Sequence, residues 1–147
     1  MTRPTILYGA LIAALLGALD AGYLSFVALA GDPLTCNFIE GCQVVATSPY
    51  SKILGIPLSL FGFFFYIVAA GLIVWLLQSP SKLAEKLLIA AAALGLLAST
   101  YFTYLQAVVI KAWCEYCVFS AAMTVLLFIL VVWYIVKENK KEEKLSL

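Results

Sequence analysis

Residues 114–136 read CEYCVFSAAMTVLLFILVVWYIV, and the only charge in the run, Glu115, stands between two cysteines at its start. The run matches the roughly 20 residues an α-helix needs to cross about 30 Å of hydrocarbon at 1.5 Å per residue. Three further stretches have the same character, approximately Ile6 to Ala30, Ile56 to Leu77 and Leu87 to Ile110. The breaks between them carry turn formers and charges: Gly31-Asp32-Pro33, Ser79-Pro80-Ser81-Lys82 and Lys111-Ala112-Trp113. The expected fold is an all-α membrane protein, a four-transmembrane-helix bundle over residues 1–136 with a charged tail at 137–147. The first stretch is too long for the apolar region of a signal peptide and is read as a span.

Composition points the same way. Of 147 residues, 65% are apolar and 12% charged, against roughly 45–50% and 25% in an ordinary soluble domain. A soluble fold of this size lacks the polar sequence to cover that much apolar surface. Net charge is +1 and no basic run outside the tail interleaves with aromatics, so nucleic-acid binding is not supported.

Orientation follows from Lys and Arg near the span ends, because cytoplasmic loops retain positive charge. Arg3, Lys82, Lys86, Lys137, Lys140, Lys141 and Lys144 fall on one side, and Lys52 and Lys111 on the other. Both termini are therefore expected in the cytoplasm. The loop of about residues 31–55 and the turn at 110–114 then face outward from the plasma membrane, and all four cysteines lie in or beside them. Small residues recur every fourth position at Gly9, Ala13, Gly17, Ala21 and Ser25, and again at Ala91, Gly95, Ser99, Thr103 and Ala107. Such stripes predict close helix contacts. The tail KENKKEEKLSL reads as a solvated extension of the last helix that frays into disorder, its lysines near lipid headgroups.

Cys114-Glu115-Tyr116-Cys117 opens a helix, so its sulfurs lie one turn apart near unsatisfied backbone N–H groups, an environment that favours thiolate. Lys111 adds a nearby positive charge. The other pair, Cys36 and Cys42, encloses a loop containing Gly41, in a segment expected to face an oxidising compartment. Two close pairs fit an electron relay by thiolate attack on successive disulfides. They also fit static bridges in a non-catalytic membrane module. A zinc site is disfavoured: the chain has no His, and the spacing of Cys36 and Cys42 is unusual for a zinc knuckle.

A relay ending in the membrane needs an acceptor there, and the chain offers neither a haem ligand set nor a Gly-rich nucleotide loop. A lipid-soluble quinone, menaquinone, ubiquinone or similar, is the natural choice. Phe61, Phe63, Phe64, Phe65 and Tyr66 crowd the relevant level of the second span, with Trp113, Tyr116 and Phe119 around the CxxC. Asp20, the acid inside the first span, is a functional candidate by its cost. The reading preferred for it is a neutral or hydrogen-bonded tie to Tyr or Thr hydroxyls on a neighbouring helix. Ser48 is compatible with a plain turn residue.

These motifs resemble the vitamin K epoxide reductase family: the loop pair Cys36 and Cys42, Ser48 six residues on, the segment SPYSKILGIP before the second span, and CxxC opening the last. The likeness runs over roughly residues 6–136. It implies a four-helix bundle around a quinone, with Cys117 facing the quinone, Cys114 exchanging with Cys42, Cys36 contacting the redox partner and Ser48 a polar group near the quinone. It also implies electron flow from a thioredoxin-like or DsbA-like partner to the quinone, supporting disulfide formation in exported proteins. Family members often carry Asn where this chain has Leu58, and the vertebrate enzyme carries Tyr where it has Ala121. Those two departures from the family's polar residues favour disulfide formation over epoxide reduction, though quinone or quinone-epoxide recycling is the same-fold alternative. The partner is expected to be a separate protein. DsbB-type thiol oxidases use a similar set of parts, but with the CxxC early in the chain.

Overall fold

The computed structural model describes residues 2–147, and its main elements are four long helices. They are α1 (Arg3–Ala30), α3 (Leu58–Gln78), α4 (Lys82–Tyr104) and α5 (Glu115–Ser146), with a short α2 (Cys42–Ala46) and a two-stranded hairpin, β1 (Lys52–Ile53) and β2 (Ile56–Pro57), in the first connection. All four long helices are long and apolar enough to cross a membrane. The expected membrane bundle is thus the observed fold. α1 packs on α3 and α5, and α4 packs on the same two, so the helices form a ring with α1 and α4 diagonal.

Boundaries differ where local chemistry overrides hydropathy. α4 starts at Lys82 rather than Leu87, because Ser81 accepts a hydrogen bond from Ala84 N and caps the helix there. The second span starts at Leu58 because Ile56 and Pro57 are taken by the hairpin, whose tip residues Leu54 and Gly55 have positive φ. The tail does not fray: α5 runs on to Ser146, and its extension is tied back to the bundle by Arg3–Glu138 (3.2 Å) and Lys82–Glu142 (2.7 Å). Tyr134 donates to Glu85 Oε1 (3.1 Å) in the same region, with the Arg3 guanidinium 5.5 Å above its ring.

The small-residue stripes admit rings as well as helices. A Cβ on Gly17 would lie 2.3 Å from the Tyr66 ring, and one on Gly95 would lie 2.4 Å from Phe65. Below Tyr66 the bundle is filled by Ile6, Leu7, Ile73, Leu88, Leu127 and Val131, each at most 1% exposed.

Candidate active site

The last helix is aimed by its own first residues. At the end of α4 the chain widens into a π-helical turn, Leu105–Ile110, a deviation that often marks functional positions. Lys111 then adopts a left-handed conformation and stops it. Gln106, buried in this turn, accepts from Ala112 N through its carbonyl (3.2 Å) and from Cys114 N through Oε1 (3.0 Å). Cys114 is thereby fixed as the N-cap of α5, and its own Sγ accepts from Cys117 N (3.4 Å). This is the helix-start geometry expected of the CxxC. Hydrogen bonding from Cys117, first through its side chain, pulls the Cys114 thiol below its ordinary range against the opposing effect of burial.

The two cysteine pairs meet here in different states. Cys36 and Cys42 form a disulfide with Cα atoms 5.7 Å apart, whereas Cys114 and Cys117 are free thiols. Cys42 and Cys114, each 1% exposed, share one buried cluster with Val27 and Leu34, against which Cys36, Cys117 and Tyr116 also pack. Cys36 lies at the rim, half-buried. Gly41 explains how the loop comes so close. Its φ of 133° lies where L side chains are rare, and a Cβ would stand 2.8 Å from the Trp113 carbonyl oxygen. Gln43 Oε1 accepts from Leu34 N (2.8 Å), holding the start of α2 to the incoming strand of the loop.

Beneath the cysteines lies a cavity of about 570 Å³ between the four long helices. Cys114 and Cys117 line it, as do Ser48, Leu58, Phe61, Tyr66 and Ala121. Trp113, grouped with these in the sequence reading, does not: it is 41% exposed at the rim and meets the loop through its backbone. Ser48 serves two purposes, donating to the Val45 carbonyl (2.8 Å) to close the turn after α2 and lining the cavity. Tyr66 forms the floor. Its hydroxyl donates to the Ser120 carbonyl (2.6 Å) and lies 3.0 Å from Ser120 Oγ and 2.8 Å from Thr124 Oγ1. Both serine and threonine come from the helix that carries the CxxC.

Asp20 Oδ2 is buried and has no hydrogen-bond partner among the described residues, so the tie to a Tyr or Thr hydroxyl expected of Asp20 is not made through that oxygen. Gln106 is not singled out by the sequence, because an uncharged amide inside an apolar run is a weaker signal than the carboxyl of Asp20. Glu115 stands in the sequence only as the charge between the two cysteines, with no role attached to it. Among the described residues there is no cluster of three potential metal ligands.

The cavity has the size and lining to take a quinone head group. It is largely apolar, large enough for a small ring system, and bounded by a thiol pair on one side and hydroxyls of Ser48 and Ser120 on others. No curated protein matches the chain. The family model described as the Vitamin K epoxide reductase family matches residues 9–132, most of the sequence and every cysteine in it. The chain belongs to the vitamin K epoxide reductase family, membrane oxidoreductases that link thiol and quinone chemistry.

Proposed function

We propose that this protein transfers electrons from an extracytoplasmic thioredoxin-like protein, through Cys36/Cys42 and then Cys114/Cys117, to a membrane quinone, and so supports disulfide formation outside the cytoplasm. The observation that carries this reading is the shared burial of Cys42 and Cys114 in one cluster that opens on the cavity. A plasma-membrane location with both termini cytoplasmic rests on the distribution of Lys and Arg.

The steps balance as thiol–disulfide exchange. A partner thiolate attacks Cys36 and expels Cys42 as thiolate; the partner's second thiolate then attacks its own mixed-disulfide sulfur and releases Cys36. The loop now holds two thiols and the partner a disulfide. Cys42 attacks Cys114 of an oxidised Cys114–Cys117 pair, expelling Cys117, and Cys36 attacks Cys42 to release Cys114. Two electrons have moved from loop to CxxC.

A bound quinone supplies a two-electron, two-proton acceptor for the CxxC dithiol. Leu58, Phe61 and Ala121 would enclose its ring, and Ser48 and Ser120 would offer hydroxyls to it. The N-cap position of Cys114 favours its departure as thiolate, because the hydrogen bonds from Cys117 stabilise the charge. Apolar Leu58 and Ala121 leave the wall without polar groups at those positions, which favours a planar quinone over an epoxide.

Purified protein given a quinone should oxidise a reduced thioredoxin-like protein, and the Cys114→Ala/Cys117→Ala variant should not. Full quinone reduction by that variant would refute the reading, and product identification after incubation with a quinone epoxide separates it from recycling.

A further inference from the structure

Glu115 occupies an unfavourable place for thiol chemistry. It stands one residue from Cys114, where a carboxylate opposes formation of the thiolate that exchange requires. Its contacts supply a reason for it to be there. Oε1 accepts from Asn37 N (2.8 Å) and Asn37 Nδ2 (3.4 Å), and Oε2 accepts from Phe38 N (2.9 Å). Residues 37 and 38 lie inside the loop closed by Cys36 and Cys42 and belong to no helix or strand. Their N–H groups bond to no backbone carbonyl among the described residues. A charged acceptor taking two consecutive backbone donors is a stronger and more directional hold than an ordinary surface contact.

The loop is therefore gripped at two points. Glu115 holds residues 37 and 38 from the CxxC turn, and Gly41 seats against the Trp113 backbone on the other side. Between these points Cys36 stays at the rim and Cys42 is buried beside Cys114. We propose that Glu115 is a positioning residue that clamps the disulfide-bearing loop on the CxxC turn, so that Cys42 rather than Cys36 is presented to Cys114. It acts on the loop-to-CxxC transfer and not on the CxxC-to-quinone transfer. In the step it positions, the Cys42 thiolate bonds to Cys114 Sγ, the Cys114–Cys117 bond breaks and Cys117 leaves with the electron pair. The inference rests on the relay proposed above.

A single-turnover experiment on the full chain tests it without a partner. Fully reduced protein in detergent receives one equivalent of a short-chain ubiquinone. Quinol is followed optically, and acid-quenched samples are mapped for the location of the disulfide. In the parent, the disulfide should form at Cys114–Cys117 and move to Cys36–Cys42. In Glu115→Ala, quinol should form at the parental rate while the disulfide accumulates at Cys114–Cys117 and reaches the loop about tenfold more slowly, as expected for losing a multidentate positioning contact. Glu115→Asp should restore most of the transfer rate. Loop oxidation at the parental rate in Glu115→Ala overturns the proposal, as does an equal slowing of quinol formation, which would place the effect at the CxxC or in the fold. Failure of the relay itself is recognisable separately, since the parent would then leave its disulfide at Cys114–Cys117 or form no quinol.

Discussion

The two halves of the bundle are built from the same four helices, yet one is filled and the other hollow. On the side of the termini, Ile6, Ile73, Leu88, Leu127 and Val131 interlock with essentially no exposure, and Arg3, Glu138, Lys82 and Glu142 tie the ends together. On the cysteine side the same helices stand around a cavity of about 570 Å³ roofed by the disulfide loop. Tyr66 marks the boundary, its ring seated at Gly17 and its hydroxyl bonded to α5. Packing and open volume are thus separated along the bundle. The filled half sets the helix spacing, and the hollow half leaves the volume in which the proposed ligand and sulfur exchange would be housed, as expected of functional sites resting on well-packed scaffolds.

That division fails if substitutions in the two halves behave alike. Leu127→Ala, in the filled half, should cost about 2–5 kcal/mol through lost packing, lowering the thermal midpoint in detergent while leaving turnover per folded molecule unchanged. Ala121→Leu, on the cavity wall, should leave the midpoint unchanged and raise the KM for quinone about tenfold, since the added methyl groups take up ligand volume. Equal thermal loss in both variants would erase the distinction. Tyr66→Phe, at the boundary, should show the smallest effect. Removing the hydroxyl and its bonds to Ser120 and Thr124 should cost about 1 kcal/mol, read as a small drop in thermal midpoint, with at most a modest change in KM.

Much of this was legible beforehand because membranes restrict the possibilities. Length and hydropathy identify four spans, since only helices or closed barrels satisfy the backbone in lipid. The CxxC at a helix start carried its capping geometry within a four-residue motif. What was not legible depends on the chain folding back on itself. The hairpin at Lys52–Pro57 falls mostly in a segment that reads only as a loop, and the π turn at Leu105–Ile110 lies at the end of an apolar run that reads as one continuous helix. The helical tail beyond Val136 owes its anchoring to Arg3 and Lys82, far away in sequence. Gly41 is visible as a turn residue, but its close approach to Trp113 requires knowing that the loop folds down on α5. In sequence Trp113 falls with the aromatics at the quinone level, because they cluster near it along the chain. The left-handed Lys111 and the capped start of α5 set it at the rim instead.

In the proposed relay, electrons cross between the pairs at Cys42 and Cys114. In the Cys36→Ala/Cys117→Ala variant, mild oxidation followed by alkylation and peptide mapping should yield an intramolecular Cys42–Cys114 disulfide in high proportion. In the Cys42→Ala/Cys117→Ala variant, Cys36–Cys114 should form poorly. A dominant Cys36–Cys114 bond, or no bond in either variant, would rule out transfer between Cys42 and Cys114.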